Sequence, residues 1–172
     1  MFKYLKINSK KHKGFTLMEL LVVISIVGVI SAVVVTSISQ SRAKSRDSTR
    51  LLNIAQIKMA LEVYSVRYGQ YPEESHNGCY DGWETSCDAA GTFINVLKTS
   101  GILSSVPFDP VNNSSYFYSY YKYPSGSSGC TFPYAVLGIK KFESANSYKG
   151  TSAQCPSRNW YPEFDYSVIL PE

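Results

Sequence analysis

Histidine is nearly missing from the 172 residues: only His12 and His76 occur, far apart in sequence. That leaves no histidine pair for a metal and no partner set for a nucleophilic triad. The four cysteines, Cys79, Cys87, Cys130 and Cys155, show no CxxC spacing, which argues against a zinc site. Acidic residues are absent from the first 14 positions, where Lys3, Lys6, Lys10, Lys11 and Lys13 stand. The formal net charge of +4 belongs to that segment, because the remainder carries 12 basic against 13 acidic side chains. A nucleic-acid partner argued from global charge therefore loses its support. No catalytic constellation is visible, so an enzyme is the least favoured class.

What the chain does have is apolar. Hydrophobic residues make up 44%, enough to build a core and to exclude wholesale disorder. Phe15 to Val35 is a run of apolar residues with a single charge, Glu19, and no Lys, Arg or His. As a helix it spans about 31 Å, the thickness of a hydrocarbon core. The lysines before it stay on the cytoplasmic side by the positive-inside rule, and the rest of the chain is exported. The run is longer than the apolar region of a cleavable secretory signal. Glu19 is the anomaly, because a carboxylate in an apolar span costs about 2.5–3.5 kcal/mol and needs a partner or the interface.

Helical spacing continues past the span. Ser39 to Arg50 is polar, with Arg42, Lys44, Arg46 and Arg50 against Asp47. That run is expected to be a solvated face or an anchor to anionic lipid. Ile54, Ile57, Leu61, Tyr64 and Tyr68 then recur at steps of three and four, with Leu52, Ala55, Met59, Val63 and Val66 as an adjacent row. Together they predict a wide stripe that packs on something. No Gly or Pro interrupts 29–68, so one helix over 15–68, about 81 Å long, is expected, ending at Gly69.

Beyond it, residues 69–172 read as a head domain. Phe93 to Leu97 predicts a short helix, and strands are expected at Tyr116–Tyr123, Phe132–Phe142 and Phe164–Leu170. Consecutive short strands favour an antiparallel meander on the second half of the long helix, an α+β fold. The high tyrosine content is expected to reflect tyrosines buried beneath that sheet rather than stacked on nucleic acid. Four cysteines on the exported side favour two disulfides, with three possible pairings.

Lys13-Gly14-Phe15-Thr16-Leu17-Met18-Glu19 resembles the processing signal of type IV prepilins and type II secretion pseudopilins. The segment closing on Tyr68-Gly69-Gln70-Tyr71-Pro72 resembles the end of the pilin long helix, and Val106–Pro110 the opening of its sheet. The resemblance implies a leader, 1–14, removed by a prepilin peptidase between Gly14 and Phe15, with N-methylation of Phe15. It implies that 15–35 forms the membrane span and later the filament core, with Glu19 acting in assembly. One departure is Thr36, which stands about where many pilins carry a helix-breaking proline. Of the possible pairings, nearness in one loop favours Cys79–Cys87, and the resemblance implies Cys130–Cys155, a tie between the sheet and the C-terminal segment. By the same resemblance, Asp109, Asn112 and Asn113 are a weak Ca²⁺ set, which a turn at Asp109-Pro110 explains as well; no other cofactor is implied.

The expected function is that of a structural subunit of a type IV pilus-like filament. Its partners are copies of itself, the bilayer, the peptidase and the inner-membrane assembly machinery. Its place is the cytoplasmic membrane as a single-pass precursor, then a surface pilus. The alternatives are a periplasmic pseudopilin of a type II secretion or competence system, and a minor tip pilin that binds a surface ligand or DNA.

Overall fold

A computed structural model describes residues 14–76, 78–80, 82–87, 90–144, 158–160 and 162–172. The chain forms two units, dividing after Gln40. In chain order the elements are α1 (Leu17–Tyr68), β1 (Glu84–Thr85), α2 (Val96–Thr99), β2 (Tyr118–Tyr123), β3 (Tyr134–Ile139) and β4 (Tyr166–Pro171). Among the described residues, α1 is the one helix long and apolar enough to cross a membrane. It stops where Gly69 takes the left-handed conformation (φ 78°) and donates its N–H to the Ser65 carbonyl at 2.8 Å.

In the first unit every described side chain is exposed, including Leu17, Met18 and Val29. The apolar run has no protein cover of its own there.

In the second unit the strands lie in the order β1-β2-β3-β4, each antiparallel to its neighbour. The period of two sorts the strand residues between two buried faces. Tyr118 and Tyr120 of β2, Ala135, Leu137 and Ile139 of β3, and Leu170 of β4 meet Ile54, Ile57, Ala60 and Leu61 of α1. Ile57 and Leu61 are fully buried, each contributing about 1.5–3 kcal/mol. Tyr134, Val136 and Ile169 on the opposite face join Trp83, Trp160 and Phe164. There the rings pack edge to face, with Trp83 5.0 Å from Phe164 and 5.5 Å from Trp160. Gly138 is required where it stands, because a Cβ would meet the Phe164 ring at 2.9 Å.

The helix, the meander and the buried tyrosines follow the sequence reading. The strands are shorter than expected, and β1 was not foreseen, since two residues carry no periodicity. Only one of the two apolar rows of α1 packs. Leu52, Met59, Val63 and Val66 remain exposed, Val66 at 89%. The row through Ile54, Ile57 and Leu61 takes the sheet, and the neighbouring row points away from it. The expectation of a solvated or lipid-facing run also fails for Asp47 and Arg50, which are 3% and 0% exposed. Both ions are satisfied inside the head.

Candidate functional site

The processing motif sits at the start of α1. Gly14 has no heavy atom near the position a Cβ would take, and Phe15 is 85% exposed. Lys10, Lys11 and Lys13 lie outside the described residues. Thr16 precedes the helix and Glu19 lies three residues later, the spacing of a capping box. Glu19 Oε2 accepts the Thr16 N–H at 2.9 Å and the Thr16 hydroxyl at 3.0 Å, while Thr16 Oγ1 accepts the Glu19 N–H at 3.2 Å. The carboxylate in the span is therefore partnered locally, at the pole of the helix that favours an anion. Its other oxygen, Oε1, accepts nothing from the described residues. The signal for this cap is the Thr-x-x-Glu spacing of Thr16 and Glu19 in the sequence itself.

A second constellation was not foreseen. Arg50 donates from Nε to Asp109 Oδ2 at 2.7 Å and from Nη2 to Asp109 Oδ1 at 3.0 Å. Its Nη1 reaches Asp47 Oδ1 at 2.6 Å and its Nη2 lies 2.8 Å from Glu143 Oε1. Arg46 pairs with Glu143 from the helix turn before. Asp47 also accepts the backbone N–H groups of Glu143 and Ser144 at 2.9 and 2.8 Å. Burial works against the Arg50 charge, but Asp109 and Glu143 outweigh it and raise its pKa. Burial also opposes the charge of Asp47, yet the Ser144 and Glu143 hydrogen bonds prevail and hold it below its usual value. Arg46 is the main reason that Glu143 is held low. Such a cluster fastens three chain segments at one point.

The residues considered for Ca²⁺ have other occupations. Asp109 gives both oxygens to Arg50, and Oδ1 also accepts the Val111 N–H at 2.8 Å. Asn112 Oδ1 accepts the Ser86 hydroxyl, and Asn113 Oδ1 accepts the N–H groups of Ser115 and Tyr116. His76 bonds the Gly82 carbonyl through Nδ1 at 2.8 Å. Cys79 and Cys87 form a disulfide with Cα atoms 6.0 Å apart, closing the loop that carries Trp83 into the aromatic layer. Cys130 is buried in that layer, and Cys155, its expected partner, lies outside the described residues.

Residues 9–35 match the family described as the prokaryotic N-terminal methylation motif. A fimbrial protein of Neisseria meningitidis serogroup A / serotype 4A is 30% identical over 104 residues, 59% of this chain and 59% of that protein. A type IV major pilin protein of Neisseria gonorrhoeae is 36% identical over 95 residues, 55% of this chain and 52% of that pilin. The type II secretion system core protein G of Escherichia coli strain K12 is 34% identical over 105 residues, 60% of this chain and 69% of that protein. The chain thus spans little more than half the length of the two Neisseria relatives. No solved structure gives a significant match. A motif at 9–35, one long N-terminal helix, a four-stranded antiparallel sheet and extended identity with both groups lead to one assignment. The chain belongs to the type IV pilin and type II secretion pseudopilin family.

Proposed function

We propose that the chain is the structural subunit of a type IV pilus-like filament. It is made as a single-pass precursor in the cytoplasmic membrane, cut between Gly14 and Phe15, and N-methylated at Phe15. The observation that carries this reading is the apolar surface of α1 without protein cover. In the first unit the whole apolar run is exposed, and in the second the row Leu52, Met59, Val63 and Val66 is exposed as well. A bilayer suits the first stretch before assembly. Copies of the same chain suit both stretches afterwards, because a head-to-tail contact between identical helices generates an open filament.

Glu19 has a place in that assembly. Cleavage creates an ammonium on Phe15, at the pole of the helix dipole that disfavours a cation. One oxygen of Glu19 caps its own helix, and the other stands ready for the ammonium of a neighbouring subunit. The prepilin peptidase and the inner-membrane assembly machinery are the remaining partners in this reading.

The alternative is a pseudopilin of a secretion system. It is favoured by the greater share of its own length, 69%, over which the core protein G matches. Electron microscopy of fibres sheared from cells, with N-terminal mass spectrometry of their main subunit, tests both. The pilus reading expects abundant surface fibres whose subunit begins with N-methyl-Phe15. Fibres lacking this chain, with the chain confined to the envelope, favour the pseudopilin. An intact Met1 end or a cut beyond Val35 refutes the processing.

A further inference from the structure

The head carries an open cavity of about 360 Å³ that the filament reading does not use. Ligand sites begin at about 300 Å³, so this one has room for a small molecule. Lys140 and Lys141, just beyond β3, line it together with Ser114 and Ser115 from the loop before β2 and Glu163 and Asp165 from the segment before β4. Neither lysine has a carboxylate partner among the described residues. Lys140 Nζ lies instead 4.1 Å from the centroid of the Tyr80 ring and 5.6 Å from that of Phe164, which also lines the cavity. Lys141 is exposed.

The carboxylates beside them are partly engaged. Glu163 Oε1 accepts from Arg158 at 2.7 Å, and Asp165 Oδ2 accepts the Phe142 N–H at 2.7 Å. Each keeps its other oxygen without a hydrogen bond from the described residues. Among the described residues the cavity therefore offers two cations without a carboxylate partner, one of them resting on aromatic rings, together with two hydroxyls and two carboxylate oxygens without a donor. Cations without a carboxylate counter-ion call for an anionic group on the ligand. Spare carboxylate oxygens call for hydroxyl or amide donors on the same molecule.

We propose that this cavity binds an acidic sugar, its anionic group held by Lys140 and Lys141 and its hydroxyls by Ser114, Ser115, Glu163 and Asp165. A neutral sugar leaves the two ammonium groups without a counter-ion. A nucleic-acid backbone brings a row of phosphates against Glu163 and Asp165, where like charges repel. The anion is a sugar carboxylate or a sugar phosphate ester, the two sources of one chemistry.

The test is calorimetric titration of the detergent-solubilised full chain with glucuronic acid, glucose 6-phosphate and glucose. Saturable binding of at least one acid is expected, with glucose weaker by about tenfold or more. The stronger of the two acids identifies the anion. Lys141→Gln, which changes an exposed side chain, should weaken the acid about tenfold while leaving the thermal melting curve in place. The proposal is overturned if glucose binds as well as the acids, or if Lys141→Gln binds like the parent. It is equally overturned if none of the sugars binds, whether or not a duplex oligonucleotide or an acidic peptide does.

Discussion

Arg50 on α1 holds Asp109, 59 residues further along the chain, through two hydrogen bonds of 2.7 and 3.0 Å in a fully buried contact. With Asp47 and Glu143 added, this guanidinium ties the helix to the loop before β2 and to the chain after β3. Arg50→Ala leaves buried carboxylates without their counter-ion, which costs about 3–5 kcal/mol in comparable sites. The expected outcome is a large drop in the melting temperature of the full chain in detergent. Arg50→Lys should recover only part of it, because one ammonium cannot reproduce the two-point contact with Asp109. A parent-like melt for Arg50→Ala contradicts this account.

The same cluster sets an acid limb. Asp47 and Glu143 have folded pKa values below their ordinary ones, for the hydrogen bonds and ion pairs described above. The unfolded chain then takes up protons at a higher pH than the folded one. Their stabilisation is present above about pH 4–4.5, the unfolded range, and is lost as pH falls through the folded values. Glu84 works in the opposite direction. Burial raises its pKa, so it costs stability once ionised and relieves that cost on acidification. Chemical denaturation of the full chain between pH 7 and 2.5 should show a fall below pH 4.5 that is shallower in Arg46→Ala, which removes the main cause of the low Glu143 value. An equal slope in the two proteins removes the Arg46–Glu143 pair as its source.

The parts that could be read from the sequence are those whose signal is local. The processing motif and the Gly69 stop each lie within a few neighbouring residues, and the absence of helix breakers over 29–68 is read along one continuous stretch. The buried cluster needs Asp47, Arg50, Asp109 and Glu143 together, and nothing in spacing brings 109 and 143 to the helix. Likewise the rows through Ile57 and Met59 have the same helical period, so periodicity alone does not say which one the sheet covers. The aromatic layer was half legible. Its tyrosines announced a buried surface, but the roles of Trp83 and Trp160 depend on the loop and the sheet meeting.

The uncovered row makes a separable prediction. Met59 is 59% exposed and Val63 49%, so changing them to glutamate removes little packing from the isolated subunit. The double variant Met59→Glu/Val63→Glu should melt within about 0.5 kcal/mol of the parent, as surface changes do. Placed in a contact between copies, the same two carboxylates are desolvated, and sheared-fibre yield should fall several-fold. Normal fibres from this variant exclude the row from the subunit interface.

Cysteine pairing gives a further check. Cys79–Cys87 closes the loop that carries Trp83. The family resemblance assigns Cys130 to Cys155, a loop whose closure contributes about 3 kcal/mol by chain entropy. Peptide mapping without reductant should recover these two pairs alone. A cross-linked peptide joining Cys79 or Cys87 to Cys130 or Cys155 rejects the assignment.

Glu19 has two jobs to separate, the helix cap seen in the structure and the charge pairing proposed for assembly. Thr16→Ala removes the hydroxyl from the capping box and costs about 1 kcal/mol at the helix end. It leaves the carboxylate and its charge intact. Glu19→Gln keeps an oxygen able to accept the Thr16 N–H but carries no charge to offset a neighbour's ammonium. If Glu19 acts through charge, Thr16→Ala should yield fibres near the parent level, while Glu19→Gln should leave processed subunits in the membrane. The readout is the ratio of sheared-fibre subunit to membrane pool, with N-terminal mass spectrometry verifying that both variants are cut before Phe15. Equal defects in the two variants assign Glu19 to the cap instead. Parent-level fibres from Glu19→Gln remove the charge from assembly altogether, because an unpaired ammonium within an apolar core would then be tolerated without cost.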